Sequence, residues 1–255
     1  MSQLDLALCA GVSARHLSFV ETGRAAPSRQ MVLGLAETLG LPLRERNALL
    51  EAAGFAAVYP ERPIDDTAMK EVRAALEQIV QASEPSPTLV LNRRTDVLLA
   101  NDSGWALLEF FSATPLPRVT NVARLVALPT GMRPFIENWR GVATHVLERI
   151  RRELGGLGRP TPEDEAVLRD VLPANAEAHA EGYVPTKPLT AVKLRRGRVA
   201  VDLWTFITTF GSPQDVTLQE IRIETLFPAD QRSRQALLRI AARREPEPGT
   251  APPQP

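Results

Sequence analysis

The chain has little of what catalysis, metal binding or secretion are usually built on. It carries one cysteine, Cys9, in 255 residues, so no disulfide framework can form within it, in keeping with a reducing compartment. Its three histidines, His16, His145 and His179, are far apart, and no pair has metal-ligand spacing. There is no Gly-x-Ser-x-Gly elbow and no phosphate-binding glycine loop. Gly155 to Gly158 is rich in glycine but follows a helical pattern, where a phosphate loop should follow a strand. The formal net charge is zero, so no global basic field draws the chain to nucleic acid. No apolar run approaches the roughly 18 residues of a membrane span, and Asp5, Arg15 and His16 interrupt the first twenty residues, unlike a signal peptide. These absences disfavour an enzyme and predict a cytoplasmic protein with no metal, no obligate cofactor and no membrane partner.

What is present is an apolar fraction of 44%, enough for packed cores, in a length that suits two ordinary domains. The most informative stretch is Ser2 to Ser28. Leu4, Ala7 and Leu8 make one apolar face; Leu17 and Val20 make another at helical spacing. Between them Gly11 can end a helix in the left-handed conformation, Val12 plugs the turn, and Ser13 suits the N-cap of the next helix. Cys9 reads as a small buried residue on the first of these helices. Two further helices follow, from Ser28 to Gly40 and from Leu43 to Ala53. This spacing predicts a helix-turn-helix whose second helix lies in the DNA major groove.

Ser2-Gln3, Ala7, Gly11-Val12-Ser13, Leu17-Ser18, Glu21-x-Gly23 and Pro27-Ser28 resemble the helix-turn-helix of the phage repressors and the xenobiotic-response-element type regulators. The match covers about residues 1–54. It implies double-stranded DNA as a partner and a homodimer on an inverted repeat. By position, Arg15, His16 and Ser18 on the second helix fit base edges, while Gln3 and Ser13 resemble phosphate-contacting positions. The family's domain has five helices, and its first precedes the Ser-Gln pair, so the sequence as given enters at the second. Leu4, Leu8, Leu35 and Leu49 are then expected to be less covered, and Glu21 to lack the arginine it resembles a partner for.

Residues 55–66, with Pro60 and Pro63 and no periodicity, read as a linker. A helix follows to Ala82 with Met69, Val72, Leu76 and Ile79 on one face. Thr88 to Asn92 and Val97 to Asn101 form a hairpin, and Asn101 and Asp102 cap a helix to Phe111. Val122 to Leu128 is a short helix. Pro134 to Leu154 reads as a long one with a stripe of Phe135, Trp139, Val142, Val146 and Ile150, and Pro162 to Leu172 as another. From Leu189 three antiparallel strands alternate apolar and polar residues, centred on Val192-Leu194, Val199 to Ile207 and Ile221 to Thr225. A last helix runs from Asp230 to about Ala242, and the proline-rich tail, 243–255, is expected to be disordered. The fold class is α+β: an all-α N-terminal domain, then a PAS-like five-stranded antiparallel sheet with helices over 67–242.

Val97 to Asn101 with Leu107-Leu108 beyond, in this order of elements after a repressor-type helix-turn-helix, is similar to the MmyB-like regulators of bacteria. That resemblance implies a PAS-like ligand-binding module for which a fatty acyl chain is one known class of ligand. The apolar candidates to line such a pocket are Trp105, Phe135, Trp139, Trp204 and Phe206, with Arg133, Arg140 and Lys193 as partners for a charged head. The leading expectation is a sequence-specific bacterial transcription regulator that senses a small apolar ligand, with a fatty acid as the candidate the resemblance offers. The alternative is a non-enzymatic interaction or dimerisation protein with degenerate DNA binding.

Overall fold

The computed structural model describes residues 2–117, 119–157, 160–179 and 191–243, with Asn175 by its backbone alone. The N-terminal part is four helices: α1 (Gln3–Cys9), α2 (Ala14–Glu21), α3 (Arg29–Thr38) and α4 (Leu43–Ala52). Local chemistry starts each of the first three. Ser2 and Asp5 form a capping box on α1, Ser13 accepts from the His16 amide at 3.1 Å, and Ser28 from the Met31 amide at 3.2 Å. Gly11 takes φ +66° in the turn between α1 and α2, a conformation that a side chain would strain. Ala7, Leu17 and Met31 meet in the buried centre.

The connecting segment is tied down at both ends. Asn47 on α4 accepts from the amides of Val58 (3.0 Å) and Tyr59 (3.1 Å) and donates to the Tyr59 carbonyl (2.7 Å). The Val216 amide donates to the Pro60 carbonyl at 2.8 Å, and Arg62 lies 3.1 Å from Asp215.

Beyond a 3-10 turn at Thr67–Met69, α5 (Lys70–Ala82) precedes the sheet. Strands β1 (Thr88–Leu91), β2 (Val97–Ala100), β3 (Val192–Arg196), β4 (Val199–Thr208) and β5 (Arg222–Pro228) are ordered β2-β1-β5-β4-β3, with antiparallel neighbours throughout. Period-two alternation sorts their side chains between two layers. Leu89, Leu91, Leu194, Val201 and Leu203 face the main core, where they meet α6 (Asp102–Phe110), α7 (Val122–Ala127), α8 (Trp139–Leu154) and α9 (Pro162–His179). Val90 and Ile223 face the other way, onto Leu76 and Val80 of α5. Helices therefore cover both faces. Buried Asn101 joins strand to helix: its Oδ1 accepts from the Thr88 amide (2.9 Å) and from the Gly104 amide (2.8 Å) that opens α6.

Several expectations change. The helix expected from Pro134 begins at Trp139, because residues 136–138 pair with β3 instead. Ile136 bridges Leu194, the Glu137 amide donates to the Lys193 carbonyl at 2.9 Å, and Asn138 accepts from the Lys193 amide at 3.0 Å. Phe135 thus leaves the stripe for a 3-10 turn, Arg133–Phe135. α9 runs to His179 straight through Pro173, held by Val167, Val171, Ala174 and Ala178 in the core. A short helix, α10 (Val216–Glu220), separates β4 from β5, and α11 (Gln231–Ala241) closes the described fold. Cys9 is exposed rather than buried, as are Leu4 and Leu8 on the same helix, at 58% and 71%. The expected strand start at Leu189 and the tail beyond Arg243 lie outside the described residues. Among the described residues no helix is long and apolar enough to cross a membrane, and no three His, Cys, Asp or Glu side chains group as a metal site.

Candidate functional site

The first candidate surface is α2. Leu17 anchors it inward, while Arg15 and His16 in its first turn stay exposed and Ser18 is half-buried. Arg15 lies 5.3 Å over the Phe19 ring, which steadies its guanidinium against the helix. Gln3 reaches across from α1 and donates through Nε2 to the Glu21 carboxylate. The residue that was expected to lack an arginine partner is therefore engaged by a glutamine. Ser13 uses its oxygen to accept from His16, which leaves its hydroxyl proton available to a phosphate oxygen.

The second candidate is a cavity of about 530 Å³ between the inner face of the sheet and α8. The roof is one face of α8: Val142, His145, Val146, Arg149 and Arg152 recur at helical spacing. Leu194, Leu203, Thr205, Ile207 and Leu226 make the floor, and Leu107, Val126 and Ile136 close the sides. The cavity is graded. Its aliphatic part lies under the start of α8, and its polar part lies under the end, where Arg149 stands 2.6 Å from Glu224 on β5. Ile207 and Glu224 are register partners on β4 and β5, so both side chains share the cavity face of the sheet.

Among the described residues none of the five candidate aromatics lines this cavity. Trp105 packs on the periphery of the main core. Phe135 stacks under Arg196, 4.8 Å away, and edges onto Phe111. Trp139 donates its indole proton to the Val126 carbonyl at 2.7 Å and carries Arg133 over its ring at 3.9 Å. Trp204 and Phe206 occupy the opposite face of β4, 39% and 50% exposed, where Phe206 packs edge-on against Phe227 at 5.3 Å. The alternation of β4 decides this: residues 203, 205 and 207 face the cavity, so 204 and 206 cannot. Of the head-group candidates, Arg133 pairs with Glu177, while Arg140 and Lys193 are exposed.

A second, polar cleft of about 910 Å³ lies between α4, the connecting segment and the end of α8. Arg44 on α4 clamps it: its Nε is 2.6 Å from Glu220, and Nη1 donates to Glu61 at 2.9 Å. Burial pulls this guanidinium's pKa down, but the Glu220 and Glu61 hydrogen bonds outweigh it and hold the group above its ordinary value. The Leu43 amide donates to Gln219 at 2.6 Å on the same seam. Arg93 pairs with fully buried Asp164 and approaches Glu220 at 3.9 Å. Burial raises the Glu153 carboxyl, opposed by Arg222 and Arg149. Arg149 and Arg152 line both the apolar cavity and this cleft. Sequence reasoning had no access to pairs such as Arg44–Glu220 and Arg93–Asp164, which join positions more than 70 residues apart. The one available signal was Arg149 and Arg152 recurring with Val142 and Val146 on one helical face.

A family model described as the MmyB-like transcription regulator ligand binding domain matches residues 72–240. A helix-turn-helix model matches residues 1–46. Both families are regulatory. No curated protein matches the chain. Among solved structures, the chain is similar to one described as an RNA-binding Light-Oxygen-Voltage Receptor, at 14% identity and a TM-score of 0.26, over 94% of this chain and 57% of that one. The chain thus spans little more than half the length of that structure, and a similarity this low carries no argument.

Proposed function

We propose that this chain, which belongs to the MmyB-like transcription regulator family and is a DNA-binding regulator with a ligand-binding domain, couples occupancy by a small apolar molecule to operator choice in the cytoplasm. A fatty acyl chain is the favoured ligand. The observation that carries this reading is the cavity under α8: about 530 Å³, walled by aliphatic side chains and within the size range of ligand pockets, about 300–1,000 Å³. The ligand contacts are assigned to Val142, Val146, Leu194, Leu203 and Leu226, rather than to the five aromatics. Residues 1–54 read DNA, 55–66 join, and 67–242 hold the ligand.

On DNA, Arg15 is assigned to a guanine edge through its two parallel donors, with His16 and Ser18 beside it. Gln3 and Ser13 are assigned to phosphates; each retains a donor after its internal hydrogen bond. One module of this kind covers little DNA, so a homodimer on an inverted repeat is the working assembly. The test is native mass spectrometry and a thermal-shift series with saturated fatty acids of increasing length. Melting should rise with chain length to an optimum, and Val146→Trp, which fills the cavity, should abolish the rise. No shift at any length, with no lipid co-purifying, overturns the ligand assignment. In that case the domain is better read as an interaction module.

A further inference from the structure

We propose that the outer face of the sheet around Trp204, Phe206 and Phe227 is a peripheral docking surface for a bilayer that contains anionic lipid. This face lies on the other side of the sheet from the cavity, and the proposal does not depend on what fills the cavity.

The alternation of β4 sends residues 203, 205 and 207 inward and Trp204 and Phe206 outward. On the outer side α5 packs on Val90 and Ile223. Beyond that contact the aromatics are bare and contiguous. Phe227 on β5, 42% exposed, is the register partner of Trp204 and packs edge-on against Phe206. With Pro85, Arg234 and Leu238 it also lines a hollow of about 370 Å³, and Leu238 is 45% exposed. At about 200 Å² per aromatic side chain, the three rings leave roughly 250 Å² of apolar surface in water before Leu238 is added. A patch of about 300–600 Å² on a single chain is often functional.

The charge around the patch says what covers it. α11 carries three arginines and no acid, and Arg232, Arg234 and Arg239 are all exposed. Asp230 before it is occupied as the N-cap, accepting from the Ser233 amide at 2.7 Å. The β3–β4 register sets Lys193 and Arg195 on the same outer side as Trp204, where Asp202 faces Lys193 and Glu137 pairs with Arg195. The chain as a whole has no net charge, so the cations of α11 are a local surplus. Aromatic rings beside arginines fit the two layers of a bilayer surface: the rings enter the boundary of head groups and acyl chains, and the guanidiniums meet anionic phosphates. A second copy of this face would bring the same surplus of cations to the contact. The patch sits at the Pro228 end of β5, about 20 Å along the strand from Arg222 at the cleft with α4, so docking leaves α4 clear. No helix among the described residues is long and apolar enough to cross a membrane, so the contact is peripheral.

The experiment sediments the full chain with vesicles of phosphatidylcholine alone or mixed with phosphatidylglycerol. Binding to the mixed vesicles should be at least tenfold tighter and should weaken as salt is raised. Lipids brominated on their acyl chains should quench tryptophan emission, and Trp204→Phe should bind as before but lose the quenching. Arg232→Gln, Arg234→Gln and Arg239→Gln together should remove the preference for the anionic vesicles. Trp204→Ser with Phe206→Ser should weaken binding to both kinds of vesicle with melting unchanged, since both side chains are exposed. No binding to either vesicle at low salt overturns the proposal, and a dimer in ultracentrifugation that Trp204→Ser splits would then assign the face to a second copy. Binding whose quenching survives Trp204→Phe places the contact elsewhere and overturns it too. So does a preference for anionic vesicles that survives the three arginine substitutions.

Discussion

The N-terminal helices and the ligand-binding domain hold together by different means. In the first, the buried centre is small, Ala7, Leu17 and Met31, and two leucines of α1 face out. Order there comes from caps that each act within four residues, Ser2, Ser13 and Ser28, and from a seam to the second domain at Leu43 and Arg44. In the second domain the core is continuous from the sheet through α6, α7, α8 and α9, and its polar joints are long-range, as with Asn101 and with Thr95, whose hydroxyl accepts from the Ala123 amide at 3.0 Å. The contrast shows that a reading head can be specified largely by local signals, while a chamber must be closed by segments distant in sequence.

That contrast is broken most sharply at Phe111, which is fully buried in the second core. Phe111→Ala should cost about 3–5 kcal/mol. Calorimetry should show the melting of the second domain fall by roughly 6–20 °C, since each kcal/mol shifts Tm by about 2–4 °C at this size. A fall of only a degree would mean that the core collapses around the gap.

The seam is next. Arg44→Ala removes hydrogen bonds to two carboxylates, each worth about 1.5–3 kcal/mol when a charge is involved, less what solvent screening recovers at a partly exposed site. Hydrogen exchange should rise across α4 while β1 and β5 keep their protection. Equal loosening of both parts would show the two domains to be one cooperative unit.

Arg15→Ala tests the reading head without touching the fold. It should cost about 1–3 kcal/mol at the specific site and relax selection at one base pair, with melting unchanged. Unaltered selection from a random-sequence library would remove Arg15 from base contact.

The smallest effect is expected at Glu153. Burial raises its carboxyl pKa in the folded state, so the folded chain holds that proton more tightly than the unfolded chain does. Its contribution is complete below the ordinary carboxylate pKa and is lost as pH rises through the raised value. Glu153→Gln should therefore raise Tm near neutral pH by about 2 °C, roughly 0.5–1 kcal/mol at this size, and change little at pH 4. An equal gain at both pH values would assign the effect to packing instead.

The sequence by itself determined the local signals. Ser13 before a helical stripe, Gly11 in a turn, Asn101 ahead of α6 and Arg196-Gly197 between β3 and β4 each act through neighbours a few residues away, so their structural outcome is legible in order. Apolar alternation likewise placed Val192 to Leu194 and Val199 to Ile207 in strands. Tertiary structure decided what depends on distant partners. Residues 136–138 left a helical pattern because β3 offered them hydrogen bonds, and Pro173 stayed inside α9 because the core held both sides of it. The cavity followed from the same cause. Which face of β4 looks inward is set by the helices packed against the sheet, and that choice put Thr205 and Ile207 on the floor and turned Trp204 and Phe206 outward. A strand's periodicity gives two faces; only the layer packed against it says which is the inside.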